Sequence, residues 1–253
     1  FLGELPGLKL DRTGVALLGA VALLAGGAVT IDEAAAAVDI PTLAILFAFM
    51  VVSAQLRLGG FFGWTAARLA AWDVGPGGVL AGVIGVVAAL AAVFSNDVVC
   101  VAVGPVLLDA GRRRGLAPVP YLLALACAAN IGSAATLIGN PQNILVGEAL
   151  ALDFGAYLAT AALPTLAGLA ITWGVIRGAF ALVAPGAGAP AAAPPGPLDR
   201  WQSAKGLAVA AALLAVFLAT SWPREVAALA GAGLLLASRR MASREVLGLV
   251  DWH

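Results

Sequence analysis

Long apolar runs, interrupted by short polar groups, make up most of this chain. They lie at 13–30, 42–56, 79–94, 98–108, 121–152, 155–176, 205–221 and 225–237. About 20 apolar residues are enough to cross a bilayer as a helix. The pattern predicts several membrane-spanning helices, together with a surface helix at 32–39 and an interfacial helix between Arg57 and Arg68.

The run at 121–152 is longer than one crossing needs, and its middle is polar. Its polar side chains are Asn130, Ser133, Thr136, Asn140, Gln142 and Asn143. Pro141 removes a backbone donor, and Gly132 and Gly139 lower the cost of unwinding. Broken polar backbone at membrane depth is tolerated only inside protein or beside a wet cavity. The stretch predicts a discontinuous helix that forms part of a solute site; the alternative is a proline kink whose polar groups neighbouring helices satisfy.

A second polar interruption, Ser95, Asn96 and Asp97, separates two apolar arms and predicts a helical hairpin over about 79–111. A carboxylate at the bilayer centre costs at least about 2.5 kcal/mol on insertion scales. Asp97 is therefore a candidate functional residue, as are its two neighbours. The alternative interpretation is an external turn and helix cap, since all three residue types are good N-caps.

The chemistry of the two interruptions suits ions. The helix that begins after the hairpin tip, and the one that begins near Gln142, would each present free N–H groups and a positive dipole end to an anion. Unwound carbonyls beside the amides of Asn140 and Asn143 would suit Na⁺. We therefore expect both stretches to bind a solute or its coupling ion.

Composition sets the class of protein. The 253 residues are 62% hydrophobic and 11% charged, with a mean hydropathy of +1.00, whereas soluble domains carry roughly 25% charged residues. An all-α polytopic membrane protein is expected. Zero formal net charge argues against a nucleic-acid partner. Cys100 and Cys127 lie in apolar runs, and the one histidine is His253, so we expect no resident metal, no cofactor and no enzyme site.

Basic residues predict how the chain threads the membrane, because cytoplasmic loops are rich in Lys and Arg. With the N-terminus in the cytoplasm, thirteen of the fourteen Lys and Arg residues fall on the cytoplasmic side, and Arg224 lies outside. The segment 12–39 matches 224–251 at a constant offset of 212 residues, including the Arg12–Arg224 and Glu33–Glu245 matches. The threading gives the two copies opposite directions, which predicts an inverted repeat, a common plan of secondary transporters.

A stretch built almost wholly of Pro, Ala and Gly marks the clearest boundary. We expect a first transporter repeat at 1–184, a linker at 185–200, and the start of a second repeat at 201–253. The chain begins with Phe1 and the second copy has only begun where it ends, so we expect a fragment of a longer protein.

At its two polar interruptions the chain resembles the ion transporter superfamily. That group includes divalent-anion/sodium symporters, anion permeases with a citrate-transporter domain, arsenite permeases and sodium/proton antiporters. The symporters carry Ser-Asn-Thr at a re-entrant tip and a Gly-Thr-Pro-Pro-Asn-like motif at a helix break. Here Ser95-Asn96-Asp97 and Gly139-Asn140-Pro141-Gln142-Asn143 stand in the matching places.

The resemblance implies secondary active transport of a small anion, coupled to Na⁺ or H⁺, by an elevator-like movement in a homodimer of the inner or plasma membrane. It implies that Ser95, Asn96 and Asn143 contact Na⁺ and the substrate carboxylate. Asp97 replaces the Thr of the symporters, and Asn140 and Gln142 replace Thr and Pro. A carboxylate would repel a dicarboxylate, so an arsenite or metalloid permease and a Na⁺/H⁺ antiporter remain alternatives. A non-transporting membrane scaffold is a third.

Overall fold

The computed structural model describes residues 12–72, 74–113, 116–182, 197–238 and 241–250, and all regular structure among them is α-helical. The helices are α1 (Arg12–Ala25), α2 (Ile31–Ala36), α3 (Ile40–Leu58), α4 (Phe61–Ala70), α5 (Pro76–Ala91), α6 (Asn96–Arg113), α7 (Pro118–Ser133), α8 (Pro141–Ala149), α9 (Phe154–Ala179), α10 (Arg200–Ala219), α11 (Arg224–Leu236) and α12 (Ser243–Leu247). The predictions for Lys9, Arg114, Arg239, Arg240, Asp251 and linker residues 185–196 fall outside these ranges.

Contacts divide the chain into a unit that ends at Ile40 and a second unit, Pro41–Val250. In the first, α1 ends at Ala25, five residues before the predicted end at 30, because Gly27 turns the chain with φ 69°. Thr30 then starts α2 with a capping box, in which its hydroxyl accepts a hydrogen bond from Glu33 N and its N–H donates to the Glu33 carboxylate.

Among the described residues, three helices are long and apolar enough to cross a membrane: α3, α9 and α10. Only 11% of the apolar 18-residue stretch of α9 is buried within the chain, and Leu163, Leu166 and Ile171 on this helix are each at least 64% exposed. Such outward apolar surface is typical of a helix that faces lipid. The protein is a membrane protein, and its regular structure within the described ranges is entirely helical.

Helices α5, α6 and α7 pack together, and their contacts fix their directions. The Tyr121 hydroxyl, near the start of α7, donates to Pro76 O at the start of α5. Ala88, near the end of α5, lies against Gly132 near the end of α7. The two helices are therefore parallel. Asn96, which begins α6, lies beside the end of α7 instead, so α6 runs back antiparallel to both.

This arrangement gives a helical hairpin, 76–113, beside the interrupted segment 118–149. The helices are interrupted at 92–95 and at 134–140; the first interruption ends at Ser95 instead of covering the predicted Ser95, Asn96 and Asp97, since Asn96 and Asp97 already belong to α6. Small residues allow α5 and α7 to approach closely, since a Cβ on Gly132 would lie 2.4 Å from Ala88 Cα. The first unit contains α1 and the second contains α11, and the predicted repeat that relates them stays a prediction.

Helices α3 and α10 meet where α3 ends and α10 begins. Gln55, on α3, donates to Gln202 Oε1 on α10 at 2.6 Å, and Ser203 donates to Gly59 O. Asp199 caps α10, so this helix begins at Arg200 rather than at the predicted 205. A cleft of about 660 Å³ lies between α4 and the start of α10.

Candidate functional site

The hairpin tip turns where the apolar run of α5 meets its first polar residue. Ser95 adopts φ 35°, in the left-handed region, which reverses the chain between α5 and α6. Side chains that compete for backbone hydrogen bonds favour such turns and caps over helix interiors. Asn96 is the first residue of α6, and its side chain is partly buried. The tip therefore points a helix N-terminus at whatever packs beside it.

The second interruption folds back into the protein instead of looping away from it. Leu137 and Ile138, in its middle, are 2% and 3% exposed. Gly139 lies so close to Ser133 that a Cβ there would be 2.1 Å from Ser133 O. Asn140 then caps α8 by accepting a hydrogen bond from Asn143 N at 2.8 Å, and Pro141 occupies the first helical position, where no N–H is needed.

Ser133, which is 1% exposed, is the centre of a hydrogen-bond network inside this interruption. Its hydroxyl donates to Asn130 O at 2.9 Å and accepts from Asn140 Nδ2 at 3.2 Å. Asn143 Nδ2 donates to Ser133 O at 3.3 Å and to Thr136 O at 2.9 Å. The end of α7, the unwound segment and the start of α8 are thus fixed to one another by amides and a hydroxyl.

Three hydrogen bonds join this network to the hairpin tip. Asn96 N donates to Gly139 O at 3.3 Å, and Asn96 Nδ2 donates to Asn130 Oδ1 at 3.1 Å. The Thr136 hydroxyl donates to Ala92 O at the end of α5. The two interruptions that the sequence singled out separately therefore form one polar cluster between apolar helices, which we call the tip–break cluster.

The tip–break cluster contains seven of the eleven predicted site residues. They are Asn96, Asn130, Ser133, Thr136, Gly139, Asn140 and Asn143. Ser95 and Pro141 border the cluster as the tip turn and the first residue of α8. Asp97 and Gln142 have exposed side chains, and no hydrogen bond joins either to the cluster in the part of the chain that the structure describes.

Two contributors to the cluster escaped the sequence reasoning. The Tyr157 hydroxyl on α9 donates to Ala134 O, so a third element supports the interruption. The sequence could have indicated Tyr157 as a candidate, because a tyrosine in an apolar helix usually finds a hydrogen-bond partner when buried. Ala92 contributes only a carbonyl, which leaves no trace in a sequence. Within the described ranges, no three His, Cys, Asp or Glu side chains come together as a metal site.

One acceptor in the cluster is buried without a partner. Asn96 Oδ1 is inaccessible to solvent and receives no hydrogen bond from the described residues. The amide orientation follows from its neighbours. Asn130 Nδ2 donates to Ala126 O at 3.0 Å, so the Asn130 side chain presents its oxygen to Asn96. The group of Asn96 that faces this oxygen must therefore be the donor, Nδ2. The unpaired atom is therefore an oxygen.

Comparison with known proteins finds transporters among those similar to this chain. The citrate transporter family matches residues 4–253. A silicon efflux transporter, LSI3, of Oryza sativa subsp. japonica is 42% identical over 169 residues, covering 66% of this chain and 35% of that protein.

Two further relatives cover similar shares. A Dictyostelium discoideum protein described as the transporter arsB is 26% identical over 165 residues, or 65% of this chain and 29% of that protein. The magnetosome protein MamN of Paramagnetospirillum magneticum is 34% identical over 148 residues, or 56% and 34%. The chain therefore spans about a third of the length of these curated relatives. Because the family match covers nearly every residue, this chain belongs to the citrate transporter family.

Proposed function

We propose that this chain forms part of a secondary active transporter for a small anion, coupled to Na⁺ or H⁺, and that the tip–break cluster is its contribution to the solute site. The single observation that carries the proposal is the convergence of two helix N-termini on one polar cluster. Helix α6 begins at Asn96 and α8 at Pro141, and the bond from Asn96 N to Gly139 O joins the two starts. The positive dipole ends of the two helices favour an anion beside this junction, where the N–H groups of Asn96 and Asn143 are already bonded to Gly139 O and Asn140 Oδ1.

The unpaired oxygen of Asn96 supports binding of a positive or donating group at the same place. A buried acceptor without a partner costs about 1–3 kcal/mol, which a cation or a solute hydroxyl would recover. Na⁺ takes oxygen ligands of this kind at unwound transporter helices. We assign Asn96 Oδ1 as a ligand of the coupling ion or of a solute hydroxyl, and we propose Ser95 and Asn143 as further ligands.

The lengths of the helices support a re-entrant hairpin. The hairpin helices α5 and α6 have 16 and 18 residues, or about 24 and 27 Å at 1.5 Å per residue, which is less than the roughly 30 Å hydrocarbon core. Helix α8 adds nine residues to α7 beyond the interruption. The tip–break cluster would then lie within the membrane, where an inverted second repeat would complete the site and an elevator-like movement would carry it across.

A second candidate is a permease for a metalloid hydroxide, such as arsenite or silicic acid. The groups that form the cluster are neutral amides, hydroxyls and carbonyls. Asp97, which lies outside the cluster, is the one charged residue among the eleven predicted site residues. Such a lining suits a small polyhydroxylated solute better than a dicarboxylate. The rice relative is by name a silicon efflux transporter, which favours the same chemistry. Asp97 would serve proton coupling in this case, or in a Na⁺/H⁺ antiporter.

Uptake by the full-length protein in liposomes tests these proposals. Labelled citrate, arsenite and silicic acid are offered separately, under imposed Na⁺ or H⁺ gradients. We expect one solute to accumulate in response to one gradient, and Asn96→Ala and Asn143→Ala each to reduce uptake at least about tenfold, since each removes hydrogen bonds in the cluster. Uptake indifferent to both gradients would refute coupling.

The controls separate transport from folding. Thr160→Val removes a hydroxyl that donates within its own helix, to Ala156 O, and should leave uptake unchanged. Asp97→Asn should abolish proton-linked transport if the metalloid or antiporter alternative holds. A scaffold without transport predicts that the asparagine substitutions alter stability alone. We further propose a homodimer in the inner or plasma membrane with the N-terminus in the cytoplasm; crosslinking in vesicles and protease access to a tag test these points.

A further inference from the structure

An ion pair connects the far end of α8 to the start of α11. Arg224 Nη1 lies 3.0 Å from Glu148 Oε1, and Nη2 of the same guanidinium donates to Leu152 O in the loop that follows α8. Both side chains are about 20% exposed, so the pair is shielded from water on most sides. One arginine thus holds both the last turn of a helix and its exit loop.

The helix dipoles show that the pair is an inter-helix contact rather than two separate caps. Glu148 lies in the last turn of α8, and Arg224 is the first residue of α11. Acidic groups are unfavourable at a helix C-terminus, and basic groups are unfavourable at an N-terminus. Each charge is therefore on the wrong end of its own helix and on the right end of its partner's helix. Their placement is explained by the meeting of the two helices.

Beyond the hydrogen bonds of Asn140 and Asn143 at its start, helix α8 is held by few buried side chains. Only Ile144 and Gly147 of its nine residues are buried, whereas Leu145 and Val146 are each 48% exposed. A helix of this length extends about 13 Å and moves as a rigid rod. Its N-terminal end carries Asn140 and Asn143 of the tip–break cluster, so a shift at Glu148 would be transmitted to that cluster.

We propose that Glu148 and Arg224 are positioning residues that anchor α8 and thereby set the geometry of Asn140 and Asn143 for the solute. The link to solute binding rests on the proposed transport function. The anchoring of α8 does not, and it is measurable without any transport.

The first experiment measures the position of α8 through a buried thiol. Ile144→Cys is introduced in a Cys100→Ser/Cys127→Ala background of the full-length protein, and its alkylation by N-ethylmaleimide is followed in detergent. Ile144 is 3% exposed, so the thiol reacts when α8 leaves its packing surface. We expect Glu148→Gln and Arg224→Gln each to accelerate alkylation about tenfold, which corresponds to ~1.4 kcal/mol.

Coupling between the two residues identifies the pair. The double variant Glu148→Gln/Arg224→Gln should react no faster than either single variant, and the exchanged variant Glu148→Arg/Arg224→Glu should recover most of the protection. Arg224→Lys keeps the charge but has one donor group in place of the guanidinium fork, and it should be intermediate. Glu225→Gln, which removes the neighbouring acidic group on α11, is the matched control and should not change the rate. Alkylation equal to this control in both single variants would overturn the anchor.

The second experiment separates positioning from a latch that opens in each transport cycle. Uptake of citrate, arsenite and silicic acid is measured over a range of concentrations. Positioning predicts an about tenfold weaker apparent affinity in Glu148→Gln with the maximal rate retained, and recovery in the exchanged variant. A changed maximal rate with unchanged affinity would overturn it. If the unsubstituted protein moves none of the three, the proposed function fails, and the thiol experiment still decides whether the pair anchors α8.

Discussion

Replacing Gly139 with alanine tests whether the interruption between α7 and α8 folds back as closely as described. An ideal Cβ at this position would lie 2.1 Å from Ser133 O and 2.7 Å from Ser133 Cα. Both are backbone atoms, so no side-chain rotation can relieve the overlap. Carbon–oxygen contacts settle near 3.3 Å, so the segment would have to move by about 1.2 Å.

The expected cost combines overlap and lost hydrogen bonds. Overpacking of this kind costs about 1–3 kcal/mol. The movement would also stretch the bond from Asn96 N to Gly139 O, which is already 3.3 Å long, and a hydrogen bond of this type contributes about 1 kcal/mol. We therefore expect Gly139→Ala to lower the free energy of unfolding by about 2–4 kcal/mol.

Unfolding in mixed micelles with increasing SDS, followed by tryptophan fluorescence, measures this difference. Gly85→Ala on α5 is the matched control, because a Cβ there meets no atom within 4 Å. It should leave stability unchanged or raise it by up to ~1 kcal/mol, since alanine favours the helix. If Gly139→Ala unfolds at the same SDS concentration as Gly85→Ala, the segment does not approach Ser133 closely and the hydrogen-bond network described around Ser133 does not form.

Three further substitutions test other parts of the structure. Gly132→Ala would place a Cβ 2.4 Å from Ala88 Cα and should destabilise the same unfolding transition by about 1–3 kcal/mol; stability equal to that of Gly85→Ala would contradict the close packing of α5 and α7. Asn143→Asp turns a donor that serves Thr136 O and Ser133 O into an acceptor, and it should cost about 1–3 kcal/mol in that titration, with an unchanged midpoint counting against the network. Hydrogen bonds from the Thr30 N–H and hydroxyl lower the pKa of Glu33, so the stability that they give α2 is present above the ordinary carboxyl pKa and is lost as pH falls through the lowered value. Thr30→Ala should raise the pKa of Glu33 in an NMR titration, and an unmoved pKa would exclude the capping box.

Local chemistry made the two interruptions predictable, but not the way they meet. Pro141 and Gly139 mark a break from sequence alone, and the asparagines around them mark it as polar. The partners of the tip are mostly backbone carbonyls, such as Ala92 O and Gly139 O, and carbonyls have no residue-specific signature. The hydrogen bond between Thr136 and Ala92 joins positions 44 residues apart, which only the packed helices bring together.

Asp97 was predicted as a site residue because a buried carboxylate is costly, but that cost does not say which way the side chain points. Its sequence neighbours suggested that all three polar residues of the tip act together. Successive residues of an α-helix point about 100° apart, so a helix that turns Asn96 toward Asn130 turns Asp97 away. The Asp97 side chain is exposed, outside the network that Asn96 joins. Its expected role in coupling thus depends on groups other than those of the tip–break cluster.

The threading predicted from basic residues can be compared with contacts that played no part in it. The threading places the end of α3, at Gly59, and the start of α10, at Asp199, on one side of the membrane. In the structure Asp199 N donates to Gly59 O at 3.0 Å. The threading also places the start of α5 and the end of α9 on that same side, and the Trp173 indole donates to Gly77 O at 3.1 Å.

Arg224, the one basic residue that the threading places on the opposite side, supplies a sharper comparison. The same threading brings the end of the broken segment out on that side, and Glu148 stands at that end. Glu148 and Arg224 lie 3.0 Å apart, a separation that a threading with the two charges on opposite faces of the membrane would not allow. The predicted threading makes this arginine an exception to the charge rule, and a guanidinium held by a carboxylate and a carbonyl has its hydrogen-bonding needs met where it stands. Arg224 is thus better understood as the partner of Glu148 than as an exception to the distribution of basic residues.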